Sequence, residues 1–159
     1  MVLSDANLNR EVHNWRSAGK TVVFTNGCFD LLHRGHVEYL NTAKLHGDIL
    51  IVGINSDRSV HVLKGQNRPL IGQEDRAFII SQLKAVDATI IFDEDTPYRL
   101  IKDIQPDVLV KGGDYAPDEV VGKDIVENSG GKVVIVPLTP GKSTTGILMK
   151  ITEPKIEKD

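Results

Sequence analysis

The chain has 159 residues, 40% hydrophobic and 26% charged, with a formal net charge of −3. That is one soluble globular domain, long enough to bury a sizeable core and without the basic balance of a nucleic-acid binder. No apolar run reaches the length of a membrane span, and the lone Cys28 excludes an internal disulfide, which fits a reducing cytoplasm.

The opening MVLSDANLNR lacks the basic start and apolar stretch of a signal peptide. Leu8, Val12 and Trp15 recur at helical spacing and predict an amphipathic helix over 8–18, closed by Gly19. TVVFTNGCFDLLHRGH follows at 21–36. Val22, Val23 and Phe24 between threonines suit a buried strand, and Asn26-Gly27 is a turn signal. A helix begins at about Gly35, with Val37, Tyr39, Leu40, Ala43 and Leu45 as its apolar positions. Gly47-Asp48 breaks it, and DILIVGIN at 48–55 reads as a strand buried on both faces. Asn55-Ser56-Asp57 ends that strand and leads to a polar loop that includes LKGQNRP at 63–69.

A helix is predicted over 74–84, with Ala77, Ile80 and Leu83 on one side, then a strand over 88–92. Thr96 as N-cap and Pro97 in the first turn open another helix, which stops before Pro106. A short strand at 108–110 runs into KGGDY at 111–115, and a helix extends from Pro117 to about Asn128. Gly130-Gly131 precede a fifth strand at 132–136. A loop at 139–142 leads into Ser143-Thr144-Thr145 and a short helix to 151. The expectation is an α/β Rossmann-like domain, doubly wound, with a five-stranded parallel sheet over 1–151 and a charged tail over 152–159.

Every informative loop follows a strand, so TNGCFD, NSD, KGGDY and STT converge on one edge of the sheet, where such folds bind ligands. His33 and His36 lie where a strand passes into a helix N-terminus, a place that favours phosphate. At i and i+3 both imidazoles point the same way, and Gly35 between them admits close approach to the backbone. One histidine beside a helix start is most often a polar surface residue; two at this spacing, after an apolar strand, point to a phosphoryl group.

HRGH resembles the HxGH signature of the nucleotidyltransferase superfamily that includes cytidylyltransferases, phosphopantetheine adenylyltransferase and class I aminoacyl-tRNA synthetases. TNGCFDLLHRGHVEYL is similar to the small sugar-phosphate and polyol-phosphate nucleotidyltransferases, above all the adenylyltransferase domain that makes ADP-glycero-manno-heptose. The match runs from about residue 20 to 151. The resemblance implies that His33 and His36 hydrogen-bond the α-phosphate region and that Lys64 reaches the phosphates as a third catalytic group. Without it, Lys64 reads as a solvated loop lysine.

It further implies a nucleotide site at Thr25, Asn26, Gly27, Cys28, Phe29 and Gly35, at Lys111, Gly112, Gly113 and Asp114, and at Ser143, Thr144 and Thr145. The glycine pair also reads as an ordinary turn, and the STT run as a helix cap. Asp30, Asn55, Asp57, Arg68 and Arg76 are the implied acceptor-binding residues. Asp30 equally suits a cap or turn role, and Arg76 a surface ion pair.

The chain departs from glycerol-phosphate cytidylyltransferases, which carry RTEGISTT, by placing Leu138 at the arginine position; Lys142 offers a point charge instead. That fits the heptose group better. The implied reaction transfers AMP from ATP to a heptose 1-phosphate, with Mg²⁺ accompanying the triphosphate and no all-protein metal site. The alternatives are a glycerol-3-phosphate or other polyol-phosphate cytidylyltransferase using CTP, and a non-catalytic nucleotide-binding module. In the heptose group the domain is often fused to a sugar kinase, which this sequence does not contain. The expectation is a stand-alone cytoplasmic enzyme, a homodimer by resemblance, with no nucleic-acid or membrane partner.

Overall fold

The computed structural model describes residues 1–113 and 116–152. Its centre is one parallel sheet of six strands: β1 (Val2–Leu3), β2 (Val22–Gly27), β3 (Ile49–Asn55), β4 (Ala88–Phe92), β5 (Val108–Gly112) and β6 (Lys132–Val136). They lie in the order β1-β4-β3-β2-β5-β6. β-Branched residues dominate the central strands, and Val22, Val23, Phe24, Ile51, Val52 and Ile54 are fully buried, as both faces of the sheet are covered.

Among the described residues, seven α-helices accompany the strands: α1 (Asp5–Ser17), α2 (Arg34–Lys44), α3 (Asp57–Lys64), α4 (Gln73–Ser81), α5 (Tyr98–Ile104), α6 (Lys123–Asn128) and α7 (Thr144–Thr152). One face of the sheet packs on Leu8 and Val12 of α1, Leu100 and Ile101 of α5 and Val126 of α6. The other packs on Leu40 and Ala43 of α2 and Ala77 and Ile80 of α4. No helix among the described residues is long and apolar enough to cross a membrane.

Strand order fixes the site. The chain leaves β2 outward through β3 and β4, then returns to lay β5 on the other side of β2. The crevice at the C-terminal ends of β2 and β5 is therefore the topological switch point, where open α/β sheets take their ligands.

The sheet has one strand more than the sequence predicts. Val2 and Leu3 pair in parallel with Thr89 and Ile90 of β4. Two residues are too few for any periodic signal. The first helix starts earlier than expected, at Asp5 beyond the N-cap Ser4. Residues 57–64, where the sequence predicts no helix, form α3: the Ser56 hydroxyl accepts the Ser59 N–H and caps it, so Leu63 and Lys64, expected to open a loop, end a helix. Pro97, not Thr96, is the N-cap of α5. The helix expected from Pro117 is divided into a 3₁₀ turn at Pro117–Glu119 and α6, with Gly122 at φ 87° between them. The expected domain end at 151 lies inside the last turn of α7, and 153–159 lie outside the described residues.

Candidate active site

A cavity of about 650 Å³ opens at the switch point. The turn after β2 and the N-terminus of α2 form one wall, and the end of β5 forms the floor. Lys64 at the end of α3 closes one side, and residues 138–145 close the other.

His33 is the N-cap of α2 and His36 its third residue. Their rings stack, with centroids 3.8 Å apart and planes 21° from parallel. The His33 backbone N–H donates to His36 Nδ1 at 3.4 Å. In a neutral imidazole that leaves the proton on Nε2. Burial, helped by the neighbouring His33, pushes the His36 pKa down to about 4. Burial and then the Lys142 charge lower His33 as well. Near neutral pH both rings are therefore neutral donors, and His33 Nδ1 is buried without a hydrogen-bond partner. A Cβ on Gly35 would come within 3.0 Å of Lys142 Cβ and 3.1 Å of the His33 ring, so a side chain here would require these neighbours to give by a few tenths of an ångström.

Three lysines line the same cavity: Lys64, Lys111 and Lys142. Burial holds the Lys111 ammonium below the usual lysine range, and its Nζ approaches Asn26 Oδ1 at 3.4 Å. Neutral N–H donors, ammonium groups and a helix N-terminus at one end of a cavity form a receptor for a polyphosphate.

Sequence comparison agrees with that chemistry. The description "Cytidylyltransferase-like" matches residues 24–155. The chain belongs to the cytidylyltransferase-like family. It is 58% identical over 143 residues to a "Bifunctional protein HldE" of Geotalea uraniireducens, covering 90% of this chain and 29% of that protein. It is 53% identical over 150 residues to a protein of the same name from Wolinella succinogenes, covering 94% and 31%. The chain thus spans less than a third of the length of these relatives. A lipopolysaccharide core biosynthesis protein from Thermoplasma volcanium superposes with a TM-score of 0.62 at 32% identity, over 76% of this chain and 98% of that one.

Within this cytidylyltransferase-like fold, the cavity gathers most of the residues expected from sequence. Asn26, Gly27, Cys28 and Phe29 line it beside His33, Gly35 and His36. Lys64, Lys111, Gly112, Ser143, Thr144 and Thr145 line it too, as do Asp30, Asn55 and Arg68. The hydroxyl of Ser143 accepts the Gly146 N–H at 3.0 Å, so the cap reading of the STT run holds for that residue. The Thr144 hydroxyl donates to the Leu31 carbonyl at 3.4 Å. Asn55 spends its amide on Ser59 Oγ, at 2.9 Å.

Four expected residues do not reach the cavity wall. Thr25 is fully buried, with its hydroxyl 2.6 Å from that of Tyr39. Arg76 is no surface partner: its side chain is 0% exposed and pairs with Asp57 Oδ1 at 2.7 Å. That pairing ties Asp57 to Arg76 of α4. Gly113, at φ 110°, bonds back to the Val136 carbonyl. Asp114 lies outside the described residues.

Asp30 lines the cavity with its carboxylate already engaged. It accepts the N–H groups of Leu70 and Ile71 at 2.8 and 2.9 Å and an ion pair from Arg68. Burial works to raise its pKa, and the Ile71, Arg68 and Leu70 hydrogen bonds outweigh that and keep it low.

Sequence reasoning missed the far wall, where Asp95, Thr96, Pro97, Glu119, Val120 and Val121 line the cavity. The rule that loops after strands carry the site would have found it, since these residues follow β4 and β5. Leu138 was noted as a departure, and it now has a place: it fills the space a Gly112 side chain would need, at 2.9 Å.

Proposed function

We propose that this chain is an adenylyltransferase that joins ATP and a heptose 1-phosphate into ADP-heptose, releasing pyrophosphate. An oxygen of the acceptor phosphate attacks the α-phosphorus. The bond from that phosphorus to the bridging oxygen of the β-phosphate breaks, and pyrophosphate carries away the electron pair. The acceptor is already ionised near neutral pH, so alignment and charge stabilisation carry the rate.

The observation that carries this reading is the stacked His33–His36 pair at the N-terminus of α2, in one cavity with three lysines. Neutral imidazoles donate to the α-phosphate oxygens as negative charge builds there, while Lys64, Lys111 and Lys142 meet the β- and γ-phosphates. This donor set fits phosphate oxygens better than a cation. Mg²⁺ therefore belongs to the triphosphate, held by its oxygens and water, where it neutralises charge on the leaving group. Leu138 offers apolar surface beside Gly112 for a flat base. ATP as donor rests on the heptose-group resemblance and on that leucine where the cytidylyltransferases have arginine.

Pyrophosphate release, measured with Mg²⁺ and each pairing of ATP or CTP with heptose 1-phosphate or glycerol 3-phosphate, tests it. The expected result is a kcat/KM highest for ATP with the heptose phosphate. A clear preference for CTP moves the chain to the cytidylyltransferases. No release with any pairing removes the catalytic reading.

A further inference from the structure

Phe29 sits in the left-handed region, at φ 48°, directly before Asp30 in the turn that feeds α2. A bulky side chain resists that conformation, so the surroundings must hold it there. The structure supplies a hold on each side. Before Phe29, Arg76 Nη1 donates to the Cys28 carbonyl at 2.6 Å. The rest of that guanidinium is fixed by the Ile71 carbonyl at 2.8 Å and Asp57 at 2.7 Å. After Phe29, the Asp30 carboxylate is anchored by Arg68 and by the Leu70 and Ile71 N–H groups. Residues 28–30 are thus gripped from both ends by one stretch, 68–76.

Between the grips the Phe29 ring has little freedom. It lies over Gly27, where a Cβ would come within 2.8 Å of it. Its edge meets the His36 imidazole, with centroids 5.2 Å apart and planes at 67°. His36 is therefore held by His33 on one face and by Phe29 at another.

We propose that Arg76 and Asp30 are positioning residues that hold Phe29 in its left-handed turn, so that its ring fixes the His36 imidazole against the nucleotide phosphates. This rests on the reading of His36 as a phosphate donor. Arg76 stands behind the cavity wall and acts through the Cys28 carbonyl and Phe29. Small displacements of a catalytic group far exceed, in their effect on rate, their effect on binding.

The test uses the full chain with Arg76→Met, Arg76→Lys and Asp30→Asn. Four quantities are read: kcat, KM for ATP, the NMR signals of the His36 ring against pH without substrate, and thermal unfolding. In folded Arg76→Met the His36 ring signals shift and its titration moves up toward that of an unburied histidine. The kcat falls about ten- to a hundredfold while KM for ATP changes by less than about threefold. Arg76→Lys recovers part of both. A folded Arg76→Met with unchanged His36 signals and unchanged kcat overturns the proposal. If Arg76→Met does not fold, Phe29→Leu removes the ring contact without touching a buried charge; shifted His36 signals with lowered kcat support the proposal, and wild-type values of both overturn it. If the wild-type chain releases no pyrophosphate, the assigned activity fails on its own, and the His36 signals of the variants still decide the positioning claim.

Discussion

The two long walls of the cavity are built on different principles. The wall at residues 27–36 is tied to the core by buried polar groups: Arg76, with no exposed side-chain surface, and Asp30, 2% exposed, both reach into it. The wall at 138–145, continued by α7, has no such anchorage among the described residues. α7 buries none of its residues, and its attachments include the Thr139 hydroxyl on Glu38 at 2.6 Å and the Thr144 hydroxyl on Leu31. An element that buries little contributes little to global stability and opens at low cost. The donors that must be placed accurately in a transition state thus sit on the over-determined wall, and the segment suited to covering a bound triphosphate sits on the weakly held one.

The largest expected effect breaks the fixed wall at its working groups. His33→Ala or His36→Ala lowers kcat by about a hundredfold or more, the scale for losing one transition-state donor. Both variants stay folded, because each histidine borders the cavity at a helix start. Steady-state kinetics with circular dichroism check this; near-normal turnover in both takes the histidines out of the chemistry and levels the two walls.

Removing residues 144–159 breaks the other wall. The apparent affinity for ATP weakens by about tenfold or more, since Thr144, Thr145 and the helix N-terminus that follows Ser143 are removed. The remaining domain keeps its unfolding free energy within about 1 kcal/mol, because α7 contributes no buried side chain. Loss of folding on truncation contradicts the description of this wall as weakly held.

A third effect is smaller and sharpens the contrast through pH. His36 is held at about 4 in the folded protein, by burial first and His33 second, against an ordinary value of 6.5. Between those values the unfolded chain binds a proton that the folded chain refuses, so stability is complete above about pH 6.5 and is lost as pH falls toward 4. His33, also lowered, acts in the same direction. Because the rings border a solvent-filled cavity, the loss is at most about 2–3 kcal/mol. Urea midpoints at pH 7, 6 and 5 measure it. His36→Asn flattens the slope, and truncation of α7 leaves most of it in place.

Most of the fixed wall was legible in the sequence because its signals are local. An apolar strand and two histidines three apart specify β2 and the imidazole pair without reference to any distant residue, although Asn26 and Gly27, expected as a turn, are the last two residues of β2. The tail of β5 and the STT run were legible for the same reason. The grip on that wall was not. Arg76 stands in GQEDRA, which reads as the charged start of a surface helix, and nothing local shows that its partners are the carbonyls of Cys28 and Ile71. Asp30 and Asp57 suited an acceptor by residue type, and long-range pairing with Arg68 and Arg76 gave them a structural task. α3 was missed although its signals were present: Ser56 is an N-cap residue, Asp57 lies in the first turn and Lys64 in the last. Its eight residues and the polar loop beyond it concealed the pattern.

The smallest expected effect lies inside the fixed wall. Cys28 lines the cavity a few residues from the histidines, a position where a thiol invites a catalytic role. Two observations argue against one. Burial pushes the thiol pKa up, and the opposing charges of Lys64, Arg76 and Arg68 do not reverse it, so no thiolate stands ready at neutral pH. The part of Cys28 that the wall uses is its carbonyl, which takes the Arg76 hydrogen bond at 2.6 Å and which any residue supplies. Cys28→Ser should therefore keep kcat/KM within about threefold of wild type, less than 1 kcal/mol of barrier. Alkylation by iodoacetamide should be slow at pH 7 and speed up as pH rises past the ordinary thiol range. Complete loss of activity in a folded Cys28→Ser protein would mean that the side chain, and not only the backbone, of this turn takes part. The wall would then have to be redrawn around a nucleophile for which phosphoryl transfer of this kind has no use.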